Sequence, residues 1–203
     1  MATDYALMIR NLVAFYDFAD KTLISVGAGG GQFVGYGHAP RKVFAIDQDA
    51  AALDQLRVAV AKNNMVDKFT FVHGDFLTIH LPVRGDVALF DFCLHEMADV
   101  ELALTRAGQL APDVVVFDHC RTSPWAFYVA EECKVSLSWK ALEGFPVAQH
   151  REFAAEQKFT DYAELLAKVR SQGEIAVQRI EKFKEQTDIT IPMTYEIALV
   201  RFP

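Results

Sequence analysis

A run of glycines between two apolar, strand-like segments constrains this chain more than any other feature. Thr22 to Asp47 reads TLISVGAGGGQFVGYGHAPRKVFAID. Leu23 to Val26 is short, apolar and rich in β-branched residues, and Gly27-Ala28-Gly29-Gly30-Gly31 follows without a spacer. Glycines there let the backbone turn sharply and approach a ligand, in front of the N–H groups that open the next helix. Val43 to Ile46 is a second apolar run, and Asp47 closes it. In a βαβ unit an acid so placed lies beside the glycine turn and can accept hydrogen bonds from a ribose diol. The stretch therefore predicts an adenosine-type ligand at the carboxyl edge of a parallel sheet.

The spacing of the glycines narrows the ligand. The dinucleotide fingerprint G-x-G-x-x-G puts its third glycine at residue 32 or 34, which are Gln32 and Val34. A nucleotide-binding oxidoreductase is disfavoured on that count. A P-loop needs Lys-Ser/Thr after its glycines, and none is present. The pattern that fits is G-x-G-x-G at Gly27, Gly29 and Gly31.

The remaining elements read as follows. Asp4 to Phe18 carries apolar residues at helical spacing and predicts a helix that covers the sheet or lies over the ligand site as a lid. Gln32 to Gly37 makes only a short helix, since Gly35 and Gly37 each weaken it by roughly 1 kcal/mol relative to alanine. Asp49 caps a helix running to about Lys62. Phe69 to Val72 is a third strand, ending in His73-Gly74-Asp75. Val87 to Phe92 is a fourth, apolar nearly throughout except for Asp91, and Val114 to Phe117 a fifth. Such unalternating runs predict strands buried on both faces. A helix is expected from His95 to Leu110, another from Ser123 to about Ala141, a strand from Val147 to Ala154, helices over Thr160 to Lys168 and Glu174 to Lys184, and a long β-rich end from Ile189 to Phe202.

At this point the chain resembles the class I S-adenosylmethionine-dependent methyltransferases, over residues of about 20 to 120. The carriers are the glycine turn, Asp47 and Gly74-Asp75, each at a strand end and in order. The resemblance implies a doubly wound, mostly parallel seven-stranded α/β sheet with helices on both faces and an antiparallel C-terminal strand at the edge. It implies one domain over residues 1–203: an N-terminal helix to residue 20, a cofactor-binding core over 21–120, and substrate-side helices and terminal strands over 121–203. S-adenosyl-L-methionine is the implied cofactor. Gly27, Ala28, Gly29 and Gly31 then cradle its methionine part, Asp47 with Gln48 holds the ribose, and Asp75 and Phe76 meet the adenine. Phe92 and Cys93, at the end of the fourth strand, run along the transferred methyl. One position departs from the family: two residues before the first glycine, where an acid usually assists in binding the cofactor's ammonium group, stands Ser25, whose hydroxyl is expected to offer the cofactor contact instead.

The implied activity is methyl transfer by in-line displacement, in which the enzyme mainly orients the nucleophile and the methyl carbon. Strand four lacks the Asn/Asp-Pro-Pro-aromatic signature of the enzymes that methylate amino groups of nucleic acids and glutamine. It continues as Cys93-Leu94-His95-Glu96, and a Leu-His pair there resembles many small-molecule methyltransferases. The net charge of −7, with no dense basic stretch, also argues against a nucleic-acid partner. A small-molecule substrate is expected. His95 and His119, just past neighbouring strand ends, are the candidate catalytic residues, as general base or substrate ligand. A cofactor-binding protein without catalysis is the alternative.

Cys93, Cys120 and Cys133 are an odd count without a CxxC pair, which fits a reducing compartment. A thiol cluster binding a metalloid, as in arsenic methyltransferases, is a lesser reading, because no metal-ligand spacing supports it; no metal is expected. Asp4 and Arg10 interrupt the start as a signal peptide, and no apolar run approaches the roughly 18 residues of a spanning helix. A cytoplasmic protein with no membrane partner is the expectation.

Overall fold

The computed structural model describes residues 3–203. The apolar runs become five parallel strands: β1 (Thr22–Val26), β2 (Lys42–Asp47), β3 (Phe69–His73), β4 (Val87–Asp91) and β5 (Asp113–His119). Two 15-residue strands, β6 (Val147–Asp161) and β7 (Thr187–Arg201), complete the sheet in the order β3-β2-β1-β4-β5-β7-β6. The strand order reverses between β1 and β4, and there the carboxyl ends of the strands open a crevice for a ligand. The C-terminal strand β7 is antiparallel, and it inserts between β5 and β6, so β6 forms the edge.

Successive strand residues face opposite sides of the sheet, which divides the core into two layers. Leu23, Val43, Leu89, Val115 and Phe117 pack under α1 (Tyr5–Phe15) and α2 (Ala50–Lys62). Ile24, Ile46, Ala88, Phe90 and Val116 pack against α3 (Val100–Leu110) and, beyond α4 (Pro124–Tyr128), against α5 (Glu132–Leu142). The helices α6 (Tyr162–Val169) and α7 (Glu174–Ile180) add Leu165 and Ile180 to the first layer. Caps explain where several helices begin. Asp4, Asp49, Asp99 and Asp161 each accept a backbone N–H from the first turn of α1, α2, α3 and α6.

Several elements differ from their sequence expectation. The helix expected from His95 is a single 3-10 turn, Leu94–Glu96, and α3 starts only after the Asp99 cap. The helix expected from Ser123 to Ala141 breaks at 129–131, where Ala130 adopts a left-handed φ of 60°. The strand expected to end at Ala154 runs on to Asp161, because it pairs with β7 along its length. Its polar residues suit an edge strand exposed to water. Residues 160 and 161, read as helical, therefore belong to β6. The segment after the glycine turn is a short 3-10 helix, Val34–His38.

Candidate active site

The glycine turn lies where β1 leaves the sheet, and its glycines serve different ends. Gly27 has φ 61°, and a Cβ there would stand 2.4 Å from the Cβ of Cys93. The turn is thus pressed against the end of β4, and Cys93 Sγ donates to the Val26 carbonyl at 3.0 Å. Burial raises the Cys93 pKa well above its usual value, so the thiol remains a donor. At Gly31 (φ 90°) a Cβ would meet Ala59 of α2 at 2.8 Å, so this glycine permits helix packing. Asp47 ties the turn together. Its Oδ2 accepts the Gly29 N–H at 2.8 Å and its Oδ1 the Asp49 N–H at 2.9 Å. A carboxylate offers about four lone-pair sites, which leaves acceptor capacity for a diol.

Two cavities meet at Gly27. One, of about 310 Å³, lies between Asp47, Gln48, Asp75, Phe76 and Cys93. Phe76 is buried edge-on against Phe90, and Asp75 is exposed, its Oδ1 capping the Leu77 N–H. The other, of about 260 Å³, lies beneath α1 and is bordered by Ala28, Gly29, Asp91, Phe92, His119 and Trp125. Tyr5 and Met8 of α1 line it as well. The helix is held there by Tyr5 edge-on to Phe33 and by Asn11 donating to Tyr195. Phe92 stacks on Phe33 at a centroid distance of 5.3 Å, with an unusual φ of 49°.

Ser25 does not border either cavity. It is fully buried, and its hydroxyl shares a 2.7 Å hydrogen bond with that of Tyr36. The acid in the cavity comes from the next strand. Val26 pairs with Phe90, which sets Asp91 beside Gly27. Asp91 is only 8% exposed, and its Oδ1 has no hydrogen-bond partner among the described residues. Burial, with the charge of Asp118 second, raises its pKa well above the usual carboxylate range. A buried acid left without a partner at the edge of a cavity is a group that a ligand's donor can satisfy. Asp91 was legible only as the one polar interruption of an apolar run. Its role depends on strand adjacency.

These features fit S-adenosylmethionine. A two-part cavity joined at a glycine turn offers a diol acceptor and a buried aromatic at one end and an orphaned carboxyl at the other.

The two histidines differ sharply. His95 Nδ1 lies 2.7 Å from Asp118 Oδ1, and its Nε2 is 3.5 Å from both Glu96 Oε1 and Glu131 Oε2. Burial alone would lower its pKa, but Asp118 and the two glutamates push it up to about 12. The hydrogen bond with His95 leads in lowering Glu96 to about 2, and Lys134 adds to it. His119 borders the cavity under α1, and burial lowers it to about 4. Its Nδ1 is unpartnered among the described residues, and its carbonyl accepts Trp139 Nε1–H at 2.6 Å. The pair therefore presents one imidazolium locked among acids and one neutral imidazole beside the cavity.

The three thiols do not gather. Cys93 turns to Val26, Cys120 is buried near Glu152 and Glu196, and Cys133 is exposed on α5. Among the described residues, no cluster of three donor atoms within 4.8 Å contains more than one cysteine. A thiol site for a metalloid has no geometric support.

Residues 24–112 match the model of a methyltransferase domain. Among solved structures, a putative methyltransferase from Bacillus halodurans is 16% identical with a TM-score of 0.68, over 98% of this chain and 99% of that one. A S-adenosylmethionine-dependent methyltransferase from Thiobacillus denitrificans, in complex with S-adenosyl-L-homocysteine, is 15% identical with a TM-score of 0.63, over 97% and 91%. A putative RNA methyltransferase from Pyrococcus horikoshii is 16% identical with a TM-score of 0.58, over 97% and 82%. At such identities the likeness shows the fold. No curated protein matches. Among the described residues no helix is long and apolar enough to cross a membrane.

Proposed function

We propose that this chain is a class I S-adenosylmethionine-dependent methyltransferase and that it methylates a small molecule held beneath α1; the match of residues 24–112 to a methyltransferase domain and the likeness of fold support the first part of the reading. The observation that carries the reading is the cavity of about 260 Å³ between the glycine turn and α1, where the aromatic side chains of Tyr5, Phe92 and Trp125 meet the polar groups of Asp91, His119 and Lys168. With the cofactor's amino-acid part on the side of Gly27, Gly29 and Asp91, the side bordered by Met8, His119 and Trp125 is left to a small substrate, and the net charge of −7 disfavours a polyanion.

S-adenosylmethionine supplies, when bound, a methyl group activated by a sulfonium centre. The rest of the work falls to the chain. Asp47 and Gln48 hold the ribose and Asp75 and Phe76 the adenine, while Gly27, Ala28 and Gly29 leave room for the backbone to approach the amino-acid part. Asp91 takes the ammonium, in the role that an acid at position 25 plays in the family. It is favoured as a neutral acid when unpartnered and ionises against a cation. Phe92 and Cys93 wall the reacting face. His119, neutral at physiological pH, accepts a proton from a substrate hydroxyl or amine, or orients it. His95 is not a base, because its Nδ1 is bonded to Asp118 and its Nε2 is closed in by two carboxylates. Tyr5 and Met8 exclude water.

Turnover tests the reading. The protein is incubated with S-adenosylmethionine labelled in its methyl group, together with a panel of hydroxylated, amino and aromatic metabolites and, separately, total RNA. Label in a small molecule, falling at least tenfold in His119→Asn, is the expected result. Label in RNA alone, or no S-adenosylhomocysteine above background with any acceptor, contradicts it.

A further inference from the structure

The surroundings of His95 hold more acid than one imidazolium can use. Its Nδ1 is taken by Asp118, itself fully buried, which also accepts the backbone N–H groups of His95 at 3.2 Å and His119 at 2.8 Å. The ring is thereby fixed with Nε2 turned to Glu96 and Glu131. Each of those carboxylates stands 3.5 Å from Nε2, beyond a good N–H···O distance of about 2.7–3.2 Å. One N–H cannot satisfy both. Glu131 is 8% exposed and His95 5%, and a donor atom from each of the three residues lies within 4.8 Å of the others. Lys134, half-exposed, donates to both oxygens of Glu96, to Oε2 at 2.8 Å and to Oε1 at 3.0 Å, which leaves Glu131 as the acid without a lysine or arginine partner among the described residues.

The spacing has a simple interpretation. Tetrahedral zinc with nitrogen and oxygen ligands at about 2.0–2.2 Å separates its donor atoms by roughly 3.3–3.6 Å. The two edges from His95 Nε2 to the carboxylates of Glu96 and Glu131, each 3.5 Å, fall in that interval. A carboxylate behind the imidazole, bonded to its other nitrogen, is the usual arrangement that sets the tautomer of a metal-bound histidine. The cluster also borders a cavity of about 450 Å³ that Phe92, His119 and Lys168 line. It therefore has room for water or a substrate oxygen at a fourth position.

We propose that His95 Nε2, Glu96 and Glu131 form a binding site for a divalent cation of the zinc type, with Asp118 as the positioning residue behind His95. The signal was not visible as a sequence spacing, because Glu131 joins from the start of α5, 35 residues away from Glu96 in number. Binding displaces the Nε2 proton to solvent, leaves the Nδ1–H donating to Asp118, and places the positive charge among three carboxylates. Glu96 bridges the ion and Lys134, which its lone pairs permit.

The test uses the full chain, stripped with a chelator and titrated with zinc chloride by calorimetry, with manganese chloride in parallel and metal content read by mass spectrometry. One zinc per chain is expected, with proton release. Glu131→Gln, nearly isosteric, is expected to weaken binding at least tenfold while circular dichroism and Tm stay close to the parent. Glu152→Gln, at the separate Cys120–Glu152–Glu196 cluster, is expected to leave it unchanged. Cobalt loading gives a second readout: visible absorption of tetrahedral intensity that Glu131→Gln removes. No stoichiometric zinc, zinc bound as tightly by folded Glu131→Gln, or manganese bound in preference to zinc would overturn the assignment.

Discussion

A Cβ on Gly27 would stand 2.4 Å from the Cβ of Cys93, so the first glycine of the turn and the end of β4 cannot both carry ordinary side chains where they meet. Gly27→Ala is expected to destabilise the protein by about 1–3 kcal/mol through overpacking, with further strain from its left-handed φ, and to abolish tight cofactor binding. Cys93→Ala does not rescue it, because the Cβ remains. Chemical denaturation of the single and double variants checks this. A double variant restored to parental stability would refute the packing account.

Asp47 serves the ligand and the turn at once. Asp47→Ala is expected to weaken S-adenosylmethionine binding by roughly 1.5–3 kcal/mol, the loss of charge-assisted hydrogen bonds. The Gly29 and Asp49 N–H groups lose their acceptor as well. Titration calorimetry of a folded variant with unchanged affinity would remove Asp47 from the ribose site.

Trp139 fixes the strand end that carries His119, donating to its carbonyl at 2.6 Å with both residues buried. Trp139→Phe is expected to cost about 1–3 kcal/mol, since a buried acceptor is left unpaired. It should also lower turnover more than cofactor affinity, because the contact lies on the His119 side. A parental denaturation midpoint would show that water or another donor replaces the bond.

Asp91 predicts a pH dependence of binding. Its carboxyl is held above the usual range when free, and contact with an ammonium favours the ionised form. The complex therefore has the lower pKa and holds fewer protons. Affinity rises with pH through the window between the two values and levels off above the upper one, and binding releases a proton. Observed enthalpies in buffers of different ionisation heat measure this. Asp91→Asn should remove both the buffer dependence and the pH slope.

How far the site could be read in advance depends on the range of the interactions. The glycine turn, Asp47 and Gly74-Asp75 form local patterns at strand ends, so their order alone pointed to the fold and the cofactor. Caps such as Asp49 are equally local. The extension of β6 past Ala154 depends on a partner strand that comes some 30 residues later, and the break at Ala130 on a left-handed residue that composition does not mark. The same holds for chemistry. Ser25 could be seen to lack a charge, but Asp91 beside Gly27 is a matter of β1–β4 register. His95 and His119 were visible as a pair, whereas what sets their opposite protonation, the acids Asp118, Glu131 and Glu96 around His95 and the burial of His119, acts through tertiary contacts.

The most direct test of the central claim is a calorimetric titration of S-adenosylhomocysteine into the parent chain, Ser25→Ala and Asp91→Asn at one pH near neutrality. The account predicts one site in the parent, an affinity reduced at least tenfold in Asp91→Asn, a smaller change in Ser25→Ala, and no comparable binding of NAD. Equal affinities in the parent and a folded Asp91→Asn, or a larger loss in Ser25→Ala, would contradict it.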